Sequence, residues 1–128
     1  MAAIRIAPSE PCTRVAVIGG THGNERNGVH LVQLLAQADQ AALLSARCPS
    51  LVLTPLIANV AASTVSEQGH VGRRFCEEDM NRCFSLAKLR DESCQTLEAV
   101  RAREVAAVVG PKGMREAQDF IFDRTTAP

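Results

Sequence analysis

The stretch RVAVIGGTHGNERNGVHLVQLLAQ, residues 14–37, reads as a strand, a turn and a helix in succession. RVAVIGG (14–20) is a short β-branched apolar run closed by a glycine pair, the pattern of a buried strand. In NGVHLVQLLAQ (27–37), Val29, Val32 and Leu35 recur at steps of three, with Leu31 and Leu34 widening the stripe. That spacing predicts an amphipathic helix packed on a sheet. Between the two, His22 and Glu25 stand three apart in a glycine-rich turn.

Outward from this unit the alternation repeats. SLVLTPLIANVAA (50–62) predicts a second strand, with Pro55 arguing for a sheet edge or a strand end. Residues 63–93 mix charges, glycines and turn formers and read as mostly loop. CQTLEAVRAREVAAVVG (94–110) predicts a helix stopped by Gly110 and Pro111, with a stripe of Leu97, Val100 and Val108 that Glu104 interrupts. QDFIFD (118–123) predicts a third strand. Strand and helix in alternation imply an α/β layered domain with a largely parallel sheet. Functional groups in such sheets gather at the carboxyl ends of the strands. His22, Glu25 and Asp123 are therefore expected on one sheet edge.

Composition narrows the function classes. Apolar residues make up 46% of the 128 and charged residues 22%, values of a globular domain able to bury a core. Fourteen basic residues balance fourteen acidic ones, so there is no electrostatic footprint for nucleic acid or an anionic membrane. Four Phe, with no Trp or Tyr, leave few platforms for base stacking. No apolar run approaches the roughly eighteen residues of a membrane span, and the start MAAIRIAPSEPC lacks a secretory core, so the expected compartment is the cytoplasm. The five cysteines, Cys12, Cys48, Cys76, Cys83 and Cys94, are odd in number and form no C-x-x-C pair, which predicts reduced thiols. A zinc site built from His70, Cys76 and Cys83 matches no common ligand spacing.

Two stretches carry candidate chemistry. In GGTHGNERNG (19–28), His22 and Glu25 can converge on one zinc ion if the first helical turn begins between them, since zinc takes imidazole nitrogen and carboxylate oxygen. The same turn can also be a plain strand-to-helix connection with Asn24 as the cap and His22 on the surface. A phosphate cradle is a third reading, but the turn lacks both the P-loop ending and the dinucleotide glycine order. In GRRFCEEDMNRCF (72–84), Arg73, Arg74 and Arg82 lie among Glu77, Glu78 and Asp79, with Asn81 beside Arg82. Arginine can grip a carboxylate with two hydrogen bonds or stabilise a developing oxyanion. A solvated, self-paired charged loop explains the same residues.

GGTHGNE followed downstream by DMNRCF resembles the aspartoacylase and succinylglutamate desuccinylase family of the zinc-carboxypeptidase-like superfamily. VGPKG (109–113) and DFIFD (119–123) resemble its aspartoacylase branch, which includes the amidohydrolase of N-acyl aromatic amino acids. The resemblance runs from about residue 14 to 123. It implies the N-terminal part of a zinc-carboxypeptidase-like α/β domain, a mixed, mostly parallel sheet flanked by helices, over residues 1–128 with a divergent tail at 124–128. It implies one zinc ion with His22 and Glu25 as its first two ligands, Arg74 polarising the scissile carbonyl, and Asn81 and Arg82 gripping the substrate carboxylate. The implied reaction is amide hydrolysis of an N-acyl amino acid, a small-molecule substrate, to a carboxylate and a free amino acid. A homo-oligomer is common in the family, although no interface signature is visible here.

The chain also departs from the pattern. The family's corresponding strand runs D-L-H-N-T-T, and its histidine is the third zinc ligand. Here FIFDRTTAP (120–128) sets Arg124 and Thr125 after Asp123, and neither His30 nor His70 is an obvious substitute. In IANVAA (57–62), Val60 stands where the family has proline after asparagine, while Asn59 is kept. The family's general-base glutamate falls outside the matched region. The resemblance thus leads to the expectation of an incomplete zinc site, inactive by itself. The alternative is a non-catalytic short form that associates with a full-length subunit.

Overall fold

The computed structural model describes residues 13–64, 69, 72–111 and 113–124. The apolar run after Thr13 forms β1 (Arg14–Gly19), with Ala16, Val17 and Ile18 buried. It is the middle strand of a three-stranded sheet, flanked by β2 (Val52–Ile57) and β3 (Phe120–Arg124) in the order β2-β1-β3. Both pairings are parallel, with Ile18 opposite Leu56 on one side and Asp123 on the other. The expected mixed, mostly parallel sheet is here wholly parallel among the described residues. Pro55 lies in β2, an edge strand of this sheet, where its missing N–H faces no partner strand.

Parallel neighbours require crossovers, and helices supply them. Between β1 and β2 run α1 (Arg26–Leu35) and α2 (Ala38–Arg47). Val29 and Val32 of α1 are buried as the spacing predicts, while Leu34 turns outward. Gly19 and Gly28 bring strand end and helix start together backbone to backbone: a Cβ on Gly19 would stand 2.1 Å from the Gly28 carbonyl oxygen. The first turn of α1 is thereby seated at the carboxyl end of β1.

The second predicted strand ends early. After Ile57 the chain turns into α3 (Val60–Ser63), where the Asn59 side chain accepts the Ala62 N–H at 3.1 Å. Most of the described residues between 63 and 93 are irregular as expected, apart from a 3₁₀ turn (Met80–Arg82) and α4 (Leu86–Arg90). The helix expected at 94–110 is α5 (Leu97–Val109), capped by Thr96 and ended by Gly110 at φ 73°. Its buried face differs from the expected stripe. Glu98, Ala99, Ala102 and Val105 face inward, whereas Leu97 and Val108 are exposed. The small alanines let α5 approach a core of Ala16, Ile18, Ala58, Met80 and Cys83. Among the described residues no helix is long and apolar enough to cross a membrane.

Candidate active site

The chain leaves β1 through Gly20, at φ 69°, and buries Thr21, His22 and Gly23 in succession. Gly23 fits because it has no side chain: a Cβ there would lie 2.1 Å from the Ala62 backbone. Its N–H donates to the Arg74 carbonyl at 3.2 Å, tying this turn to the loop at 72–82. His22, 3% exposed, is far from the surface position that the plain-turn reading gave it.

The imidazole is held at both nitrogens. Nδ1 lies 2.9 Å from Glu25 Oε1, and Nε2 lies 3.0 Å from Asp79 Oδ1. Glu25 stands at the N-cap of α1, where the plain-turn reading put Asn24, yet makes no side-chain cap bond; its carboxylate turns to His22 instead. The other oxygen, Glu25 Oε2, is buried without a hydrogen-bond partner. Burial alone would pull the His22 pKa down, but the bonds to Asp79 and Glu25 outweigh it and hold the ring above its ordinary value. The His22 hydrogen bond leads the effects that hold the Asp79 carboxyl below the usual carboxylate range.

This arrangement has a chemical consequence. When Nε2–H donates to Asp79, the Nδ1 lone pair faces the Glu25 carboxylate, and two electron-rich atoms 2.9 Å apart need a cation between them. A proton or a metal ion can fill that role. The donors, an imidazole nitrogen and a carboxylate with an orphaned buried oxygen, are of the type that zinc takes. A carboxylate behind the ligating histidine is the usual device that fixes ring and tautomer. His22 and Glu25 thus fit a metal. A third donor is lacking: among the described residues no group of three His, Cys, Asp or Glu is arranged to hold one. His30 is exposed on α1, and His70 lies outside the described residues. Cys83 is buried in the core and its thiol is pushed up to about 11, which disfavours a thiolate ligand.

The remaining candidates surround this pair. Arg74 Nη2 sits 3.5 Å from Asp79 Oδ2, with its side chain 55% exposed. Asp79 Oδ1 also accepts the Asn81 N–H at 3.0 Å and so starts the 3₁₀ turn that presents Asn81 and Arg82. Asn81 Nδ2 comes within 3.5 Å of His22 Nε2, and both Asn81 and Arg82 are exposed. At the end of β3, Asp123 Oδ1 accepts from Thr21 Oγ1 at 3.4 Å, so the expected shared edge of the sheet is formed. Asp79 is the residue that the sequence reading undervalued, counting it among the loop acids. Those acids are not a self-paired solvated loop either. Glu77 accepts the Leu97 N–H, and Glu78 pairs with Lys88 and Thr96.

Comparisons with known proteins place this fold in a family. The family model described as succinylglutamate desuccinylase/aspartoacylase catalytic domain matches residues 11–126. The human N-acyl-aromatic-L-amino acid amidohydrolase (carboxylate-forming) is 41% identical over 127 residues, covering 94% of this chain and 36% of that protein. Aspartoacylase of Xenopus tropicalis is 36% identical over 116 residues, covering 88% of this chain and 34% of that protein. The crystal structure of murine aminoacylase 3 superposes with a TM-score of 0.72 at 36% identity, covering 91% of this chain and 36% of that one. The chain therefore spans about a third of the length of the curated relatives it matches. With every described element inside the matched region, the chain belongs to the succinylglutamate desuccinylase/aspartoacylase catalytic-domain family.

Proposed function

We propose that these residues form part of the site of a zinc-dependent amidohydrolase that deacylates N-acyl amino acids, acyl-aspartate or acyl-aromatic. The observation that carries the reading is the convergence of His22 Nδ1 and the Glu25 carboxylate, with Glu25 Oε2 buried and unpartnered and Asp79 behind the ring. Zinc, when bound, would lower the pKa of its water to roughly 7 and polarise the acyl oxygen. Asp79 orients His22. Arg74, largely exposed on the site's rim, is free to donate to the charge that develops on the acyl oxygen. Arg82 offers a planar fork and Asn81 an amide donor for the amino acid carboxylate.

With two donors and no third beside them among the described residues, the chain is expected to hold the ion weakly. The expected result is less than half an equivalent of zinc in the purified chain and no hydrolysis of N-acetyl-aspartate or N-acetyl aromatic amino acids. One tightly bound zinc per chain with measurable turnover would overturn the inactive form of the reading. Loss of all zinc affinity in His22→Ala supports the assigned ligand; unchanged affinity removes it.

A second reading, a non-catalytic chain that associates with a longer homologous subunit, is favoured by one feature. β3 exposes Phe120, Ile121 and Phe122, and among the described residues only its β1 side is paired. Co-elution of the chain with a purified full-length relative on size exclusion supports this reading, and independent elution counts against it.

A further inference from the structure

Glu98 is 0% exposed, and among the described residues it forms no ion pair with Lys, Arg or His. Burying a carboxylate is costly unless hydrogen bonds replace its water. Here four N–H groups do so. Oε1 accepts from Asn59 Nδ2 at 3.0 Å and from the Cys76 N–H at 2.6 Å; Oε2 accepts from the N–H groups of Glu77 at 3.1 Å and Glu78 at 3.3 Å. Burial would raise the Glu98 pKa, but the bonds from the backbone at 76–78 and from Asn59 outweigh it, keeping the group ionised.

The bonded groups belong to loops that carry the candidate site. Asn59 follows β2, and its own N–H donates to the Gly20 carbonyl at 3.0 Å, next to Thr21 and His22. Glu78 directly precedes Asp79, whose carboxylate meets His22 and starts the turn of Asn81 and Arg82. We propose that Glu98 is the positioning residue of the site: from α5 its buried carboxylate fixes the 76–78 backbone and Asn59, and so sets Asp79, Asn81 and Arg82 against His22. The proposal rests on the amidohydrolase reading only for what is positioned.

Glu98→Gln keeps the shape but turns an amide N–H toward backbone donors. Glu98→Asp keeps the charge and withdraws it by one carbon. The test is residue-resolved amide hydrogen exchange in the full 128-residue chain, with N-acetyl-L-phenylalanine binding by calorimetry at pH 7. In Glu98→Gln, exchange should quicken about tenfold or more at Cys76–Glu78, at Asn81 and at Gly23, while Ala102–Val105 of α5 and β1 keep their protection. Affinity for N-acetyl-L-phenylalanine should fall about tenfold or more, and Glu98→Asp should recover part of both effects. Quickening spread evenly over α5 and the sheet, or none at 76–78 and Gly23, overturns the proposal. Local quickening with unchanged affinity overturns it too. If the unsubstituted chain binds no N-acetyl-L-phenylalanine, the acyl-aromatic form of the functional reading fails for this chain, and the exchange pattern alone decides the role of Glu98. Should Glu98→Gln not fold, Glu98→Asp carries the same comparison.

Discussion

His22 Nε2 lies 3.0 Å from Asp79 Oδ1 across 57 positions of sequence, and the contact leaves Nδ1 as the nitrogen that faces Glu25. A ligating histidine is only as well placed as the group behind it. Replacing that group typically costs 10–100-fold in metal affinity. Asp79→Asn should therefore weaken zinc binding by about that factor, measured by competition with a chromophoric chelator. An unchanged constant would show that His22 is oriented by its burial alone.

The acid stability of the fold should depend on Glu98. Its folded-state pKa is held below the ordinary glutamate value of 4.5, so the unfolded chain binds its proton first as pH falls. The contribution is fully present above about pH 4.5 and is lost as pH drops through the depressed folded value. Urea unfolding between pH 6 and 3 should show stability declining on that limb, with a slope of at most about 1.4 kcal/mol per pH unit from this one group. Glu98→Gln should be less stable at pH 6 by about 1–3 kcal/mol and should show a flatter acid limb. A parallel acid limb in the variant would assign the proton uptake to other carboxylates.

The parallel α/β sheet and the strand edge shared by His22, Glu25 and Asp123 were legible in the sequence; the side-chain partnerships across the fold were not. β1, α1 and β3 follow from apolar runs, a three-residue step and bounding glycines, and the His22–Glu25 pair is itself local. α2 went unseen because its apolar positions are mostly alanine, a weak signal, and none of its residues is buried. The stripe of α5 was misread because its contact face is built from Ala99 and Ala102, with a glutamate among them, while the larger Leu97 and Val108 stay outside. Asp79 and Glu98 take their meaning from partners 57 and about 20 to 39 positions away. No spacing rule reaches that far.

The contact of Gly19 with Gly28 seats α1, and with it Glu25, at the end of β1. Gly19→Ala would drive a methyl into the Gly28 carbonyl, and Gly28→Ala would place one 2.6 Å from the Arg124 carbonyl. Because both obstacles are backbone, strand and helix must separate. Each variant should lose about 1–3 kcal/mol or more, seen as a lower thermal midpoint by circular dichroism. A midpoint unchanged in both would mean that α1 docks more loosely than this geometry requires.

Arg74 and Arg82 should be separable by kinetics in a form of the protein that turns over an N-acyl amino acid. Arg82, exposed on the 3₁₀ turn beside Asn81, is assigned to the substrate carboxylate, which is present equally in ground and transition states. Removing such uniform binding raises KM and leaves kcat nearly unchanged, so Arg82→Ala should raise KM about tenfold or more. Arg74 is held beside the site by Asp79 and is assigned to charge that develops only during the reaction. Arg74→Ala should instead lower kcat, by about 100-fold or more if it acts as one donor to an oxyanion. Equal KM effects in the two variants would make both arginines carboxylate clamps, and the scissile carbonyl would then need another donor.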